Sequence, residues 1–256
     1  MSSAFGLYSR YYDVLYQDKD YVGEADYVQS MIERFAPHAN ELLELGCGTA
    51  RHACLLAAAG YNVHGIERSE EMLNVARQRI DQKSDDRHGL VSVQQGDVTG
   101  VQLNRLFDCV ISLFLVVSYQ TTDADALSIF QTAHEHLRPG GIFLFDLWYG
   151  PAVMHQQPER RVKEMQGDGL EVSRIAEPTM IPDRNIVEVN YTVDVREIQT
   201  GKSDRLFEKH VMRYFFESEI ATLAQQAGLQ IEHAEQWLDG AEPSTSTWGV
   251  AFVARK

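Results

Sequence analysis

The sequence predicts an α/β fold, a doubly wound and mostly parallel sheet with an antiparallel β insert after its fifth strand. Three observations predict it. Short apolar runs alternate with amphipathic helical stretches between residues 41 and 147. The first of these runs, Glu41-Leu42-Leu43-Glu44-Leu45, breaks into Gly46-Cys47-Gly48-Thr49-Ala50 and then turns helical. Beyond Pro151 the apolar rhythm changes to a period of two, as in strands with one wet face.

Residues 1–38 form the first unit. Tyr8, Tyr11, Tyr12, Tyr16 and Tyr21 crowd a stretch that also holds Asp13, Asp18 and Asp20. Such a segment either packs its rings on the body of the protein or forms a lid whose phenols face a ligand. Val22, Ala25, Val28, Met31, Ile32 and Phe35 follow at helical spacing, and Pro37 stops the helix.

Residues 39–150 read as the ligand-binding core. After the glycine turn, Ala53 to Ala59 is a buried helix closed by Gly60. Tyr61 to Glu67 is a strand ending on a carboxylate, and Ser69 caps the next helix, whose inner face carries Met72, Leu73, Val75, Ala76 and Ile80. Residues 81–89 read as a polar loop. A third strand, Leu90 to Gln94, leads into Gly96-Asp97-Val98, and a fourth, Phe107 to Phe114, is apolar on both faces. Asp123 to Leu137 is helical up to Pro139-Gly140-Gly141, and Ile142 to Leu147 is the fifth strand.

Residues 151–216 alternate in Glu171–Ile175, Ile186–Ile198 and His210–Phe215, with turns at Pro182-Asp183-Arg184-Asn185 and Thr200-Gly201-Lys202-Ser203. Such an insert would line an acceptor pocket, pair with a second subunit, or do both. Residues 217–256 return to a helix and two final strands, Leu229–Leu238 and Trp248–Ala254.

Composition narrows the function. The 256 residues carry a net charge of −14, which argues against a nucleic-acid partner. The one basic run, Glu159-Arg160-Arg161-Val162-Lys163, reads first as a solvated strand or loop and second as a phosphate contact. Cys47, Cys54 and Cys109 sit in core elements at spacings that suit neither a disulfide frame nor zinc, so reduced thiols and no metal are expected. No signal peptide and no apolar run near the roughly 20 residues of a membrane span is read. A cytoplasmic protein that meets no membrane is the expectation.

In an open parallel sheet the ligand lies over the carboxyl ends of the strands. Here those ends carry Gly46 and Gly48, Glu67, Asp97 and the segment Ser112-Leu113-Phe114. A carboxylate at Glu67 would accept from two ribose hydroxyls, Asp97 from an adenine amino group, and Leu113 would floor the base. Taken singly, Glu67 and Asp97 are ordinary helix-approach and turn residues; together, at successive strand ends, they favour a nucleoside. NAD binding asks for G-x-G-x-x-G, and Arg51 stands where the third glycine belongs. An NAD-dependent oxidoreductase and a non-catalytic binding module are the competing readings.

These motifs resemble those of class I S-adenosylmethionine-dependent methyltransferases: Glu44-Leu45-Gly46-Cys47-Gly48-Thr49, Gly65-Ile66-Glu67-Arg68-Ser69, Gly96-Asp97-Val98 and Leu137-Arg138-Pro139-Gly140-Gly141. The resemblance implies a seven-stranded Rossmann-like sheet with its last strand antiparallel, S-adenosyl-L-methionine as cofactor and S-adenosylhomocysteine as product. A narrower resemblance, to N-methyltransferases of nucleotide-linked amino sugars, rests on Tyr12-Asp13-Val14-Leu15-Tyr16, Asp20-Tyr21, His52, Trp148 and the insert. It implies cofactor contacts from Tyr21, Gly46, Cys47, Gly48, Glu67, Arg68, Met72, Asp97, Val98 and Leu113, and acceptor contacts from Tyr12, Tyr16 and Trp148. The acceptor is then a small molecule, best an amino group of a nucleotide-linked sugar, otherwise an O- or N-acceptor on another metabolite. Tyr12, Tyr119 and His155 are the candidates for assisting proton removal, although the sequence forces no catalytic base. A homodimer is compatible with the insert.

Overall fold

A computed structural model describes residues 11–82 and 89–256; Tyr8 and most of the 81–89 loop lie outside the described residues. Residues 11–15 are helical. The elements that follow are α1 (Tyr21–Phe35), β1 (Glu41–Leu45), α2 (Arg51–Ala58), β2 (Asn62–Glu67), α3 (Glu70–Gln82), β3 (Val91–Gln95), β4 (Phe107–Ser112), α4 (Asp123–His136) and β5 (Leu137–Tyr149). They continue with α5 (Gly150–Gln156), β6 (Arg161–Gly167), β7 (Leu170–Ile181), β8 (Ile186–Glu197), β9 (Ser203–Phe215), α6 (Glu217–Gln226), β10 (Gln230–Gln236) and β11 (Gly249–Arg255).

Strands β3, β2, β1, β4 and β5 pair in that order, all parallel, so the strand order reverses between β1 and β4. β11 then adds antiparallel to β5, and β10 antiparallel to β11. Helices cover both faces because the strands are apolar on both. Leu42 and Ile111 pack with Val28, Ile32, Ala53 and Leu56 on one side. Leu43, Leu45 and Val110 pack with Ile129, Phe130, Ile220 and Leu223 on the other.

Strand β5 begins at Leu137, earlier than the Ile142 read from sequence. Leu137 is fully buried opposite Phe107, and burial outweighs the breaking tendency of Pro139 and Gly140. The basic run at 160–163, read as strand or loop, opens β6, which pairs antiparallel with β7. The insert therefore has four strands, β6 to β9, in a continuous antiparallel meander. It is joined to the core sheet where β9 runs parallel to β5 at Trp148↔Tyr214 and Tyr149↔Phe215. Among the described residues no helix is long and apolar enough to cross a membrane.

Candidate active site

The glycine turn sits at the end of β1, beside the reversal in strand order. Gly46 N and Cys47 N both donate to Ile66 O, at 2.8 and 3.0 Å, which pins the turn to β2. Gly46 has φ +81°, and a Cβ there would lie 2.5 Å from Val116 Cγ2. Gly48, at φ +53°, faces open space within 4 Å, so a ligand can approach its main chain. Glu67 closes the cradle from β2. Its Oε2 accepts from Gly48 N at 3.1 Å and its Oε1 from Ser69 N at 2.9 Å.

Under the loop lies Glu44, wholly buried, with Oε2 lacking any hydrogen-bond partner. Burial, with the neighbouring Glu67 charge, pushes its pKa up to about 8. From Glu44 a line of buried groups runs outward. His52 Nδ1 is 3.9 Å from Glu44 Oε1, His52 Nε2 is 2.8 Å from Glu24 Oε2, and Glu24 pairs with Lys19. Burial drives the His52 pKa down against the raising influence of Glu24. The Lys19 ammonium lies 4.5 Å from the ring centres of both Tyr21 and Phe114. A loop edged by the Glu67 carboxylate, over a buried Glu44 that can ionise only against an arriving cation, is hostile to a pyrophosphate. It suits a ligand with a cationic amino-acid end and a ribose.

A second wall faces the loop from the N-terminal segment and the insert. The Tyr12 and Tyr16 rings meet at a tilt with centres 4.7 Å apart, and Tyr16 meets Phe114 edge-on at 5.2 Å. Arg174 Nη1 donates to the Tyr16 hydroxyl at 2.9 Å, and its guanidinium lies 4.7 Å from the Tyr191 ring. Tyr191 in turn meets His210 at 4.9 Å, and His210 Nδ1 is 2.8 Å from the Tyr119 hydroxyl. His210 Nε2 is 3.0 Å from Glu208 Oε2, while Glu208 Oε1 is buried without a partner. The wall thus runs from the N-terminal segment through the insert to the turn after β4.

That turn is held in a strained shape. Phe114 and Leu115 have φ of +63° and +67°, each costing about 1 kcal/mol for a residue with a side chain. Asp146, buried at the end of β5 and shifted up to about 7 by burial, accepts from Leu115 N at 2.9 Å. A hydrogen bond of that kind contributes roughly 1–3 kcal/mol and offsets the strain.

Residues 42–141 match a family model described as a methyltransferase domain. A dTDP-3-amino-3,4,6-trideoxy-alpha-D-glucopyranose N,N-dimethyltransferase of Streptomyces venezuelae is 29% identical over 88% of this chain and 90% of its own length. The fold matches that of an S-adenosylmethionine-dependent methyltransferase from Clostridium acetobutylicum, with a TM-score of 0.80 at 20% identity over 99% of both chains. It also matches an S-adenosylmethionine-bound amino pentose methyltransferase from Micromonospora echinaspora, at 0.75 and 24% over 97% and 96%. Residues 42–141 are a methyltransferase domain, and the chain has the fold of S-adenosylmethionine-dependent methyltransferases.

Within the methyltransferase the residues singled out from sequence fall into three groups. Gly46, Gly48, Glu67, Tyr12, Tyr16, Tyr21 and Tyr119 stand on the two walls. Tyr21 lies 5.1 Å from His52 and under the Arg51 guanidinium, and burial raises its pKa. Asp97 is exposed and spends Oδ1 on an Asx turn with Thr99 N and Oγ1, bonds that hold its pKa down. Val98 packs partly on the core beside it, and Arg68 is exposed next to the Glu67 shelf.

In the second group the side chains are spent on packing. Cys47 fills the space above Gly65, where a Cβ would meet its Sγ at 2.6 Å, so only its main chain faces the loop. Met72 is 8% exposed, and Leu113, expected as a floor for the base, is 2% exposed in the layer under α1 and α2. Leu113 directly follows the end of β4, and its burial in that layer leaves Phe114 as the ring that meets Tyr16.

The third group stands off the walls. His155 is exposed in the last turn of α5 and makes none of the wall's contacts. Trp148 borders the second wall: it meets Trp248 edge-on at 5.9 Å in the apolar cluster of Val187 and Tyr214, on which Tyr191 also packs.

Sequence reasoning missed Glu24, Lys19, Arg174, Tyr191, Glu208 and His210. Period two in β8 and β9 was the available signal, since it puts Tyr191, Glu208 and His210 on one face. Which of the two faces turns inward is decided by the core.

Proposed function

We propose that this methyltransferase methylates the amino group of a nucleotide-linked sugar. One observation supports this reading above others. The inner face of the insert carries a polar band, Arg174, Tyr191, Glu208 and His210, between two apolar clusters built on Leu170–Val193 and on Val187–Tyr214. A surface of that kind suits an acceptor with a sugar, a charged end and an amine that must lose a proton. The N,N-dimethyltransferase relative, which matches along nearly its whole length, supports the same acceptor class.

S-adenosylmethionine, when bound, supplies an electrophilic methyl group. Little covalent chemistry is then asked of the chain, and alignment of the acceptor supplies much of the rate. Gly46, Gly48, Glu67, Glu44 and Tyr21 hold the donor, with Arg68, Asp97 and Val98 at its nucleoside end. Tyr12 and Tyr16 position the acceptor.

Tyr119 is the residue through which a proton leaves. The tautomer compatible with both contacts has His210 Nδ1 accepting from the Tyr119 hydroxyl and Nε2–H donating to Glu208. As the amine N–H proton passes to the Tyr119 oxygen, the phenol proton passes to His210, and Glu208 stabilises the imidazolium. His155 has no part in this reading, because it is exposed at the far end of α5.

The test is incubation with labelled S-adenosylmethionine and a panel of nucleotide-linked amino sugars, simple amines and carboxylates, read by mass spectrometry. Gain of two methyl units on an amino sugar nucleotide is expected. Methylation confined to hydroxyl or carboxylate acceptors would overturn it.

A further inference from the structure

We propose that Arg174, with Lys163 beside it, is the subsite for a phosphate group of the acceptor. The inference deepens the reading above and rests on it for the identity of the acceptor. Its own evidence is a cation without a counter-charge. Arg51, Arg79, Arg213 and Arg255, which are also drawn in from solvent, each hold a carboxylate. Arg174 is half-buried, and among the described residues no carboxylate pairs with it, in a chain of net charge −14. A guanidinium withdrawn from water without an anion is unfavourable, and an arriving anion would relieve it.

The surroundings hold the guanidinium ready for such a ligand. The rings of Tyr16 and Tyr191 lie 5.4 and 4.7 Å from its Cζ, so two aromatic faces fix its plane. Of its five N–H donors one is committed, to the Tyr16 hydroxyl. A planar fork with donors to spare matches phosphate oxygens in pairs.

Register brings the second cation. Lys163 on β6 is directly opposite Arg174 on β7, so both point to the same face. The Lys163 ammonium lies 5.6 Å from the same Tyr16 ring and pairs with the exposed Asp18 at 2.7 Å. Exposed pairs of that kind contribute little and exchange readily for a better anion. The basic run, read from sequence first as a solvated strand or loop and second as a phosphate contact, thus sets one of its charges, Lys163, opposite Arg174.

The experiment combines binding and turnover. Thymidine 5′-diphosphate and inorganic pyrophosphate are titrated calorimetrically into the wild type and into Arg174→Gln and Arg174→Lys, with S-adenosylmethionine affinity as the folding control. KM is then compared for a thymidine-diphosphate-linked amino sugar and for the same sugar without its nucleotide. Arg174→Gln is expected to weaken diphosphate binding and raise the first KM by about 30-fold, and to raise the second KM far less. Arg174→Lys restores part of the affinity, since it keeps charge but loses the fork. Wild-type protein that binds neither anion, or Arg174→Gln that binds both as well as wild type, overturns the proposal. Diphosphate binding that depends on Arg174, without methyl transfer to any amine, supports the subsite and removes only the amino-sugar reading.

Discussion

The Tyr119 hydroxyl and His210 Nδ1 are 2.8 Å apart although 91 residues separate them in the chain. One lies in the turn after β4 of the core sheet and the other in the last strand of the insert. The contact joins the core sheet, proposed to hold the donor, to the insert, proposed to hold the acceptor. Behind it stands Glu208, one oxygen on His210 and the other buried without a partner.

If this line carries the acceptor's proton, Tyr119→Phe and His210→Gln each lower kcat by roughly 10- to 100-fold while S-adenosylmethionine affinity stays unchanged. Tyr12→Phe, which touches the ring wall and not the line, lowers turnover only a few-fold by the same reasoning. Steady-state kinetics on the three variants decide it. Equal losses in all three would mean that the tyrosines act by packing.

Glu44 sets a pH dependence of stability. Its pKa is about 8 in the folded protein against an ordinary 4.5. Between those values the free folded protein holds a proton that the unfolded chain has lost. The contribution of Glu44 is therefore full below about pH 4 and is lost as pH rises toward 8, and Asp146, raised to about 7 by burial, adds to it in the same sense. The wild-type melting temperature should fall across this window. Glu44→Gln should flatten the slope and be the more stable protein at pH 8, yet bind S-adenosylmethionine about 10-fold more weakly because it can no longer give up a proton to face a cationic ligand. Melting curves from pH 5 to 8 with and without cofactor test both halves.

The two glycines of the turn fail in different ways. Gly46→Ala sets a methyl 2.5 Å from Val116 at φ +81°, so it should destabilise the free protein by about 2–4 kcal/mol. Gly48→Ala meets open space at φ +53° and should cost only about 1 kcal/mol. Its methyl projects into the cradle, so cofactor affinity should drop far more than stability. Denaturant unfolding paired with cofactor titration separates the two.

Asp13 ties the N-terminal segment to the loop. It accepts from Arg51 at 3.1 Å and from Arg79 at 2.7 Å, and Arg79 also donates to the Thr49 carbonyl within the glycine turn. Asp13→Asn should release the segment, with faster proteolysis ahead of Asp20 and cofactor affinity reduced by about 5- to 10-fold. Unchanged proteolysis would assign the closure to the aromatic contacts of Tyr16 alone.

The sequence by itself determined the core. Apolar runs of strand length cannot be solvated, so their alternation with amphipathic helices dictates a sheet covered on both faces. The glycine turn, Glu67 and Asp97 follow from local chemistry, because φ > 0 and a carboxylate at a strand end are readable from one stretch at a time. The four-strand meander was partly legible: period two marked three strands, whereas β6, polar and at the sheet's edge, left no apolar alternation to read.

Only the tertiary structure decided the acceptor wall. Arg174, Tyr191, Glu208 and His210 come from three strands, and nothing local says which face of each turns inward. That choice was made by Leu170, Val172, Val187, Val189 and Val193, whose burial fixes the register and carries the polar neighbours in with them. Likewise Leu113 was readable as an apolar residue at a strand end, but its direction was settled by the left-handed turn at Phe114 and Leu115. The residues proposed to hold the donor lie in contiguous motifs; those proposed to hold the acceptor lie in cross-strand pairs that exist only once the chain has folded.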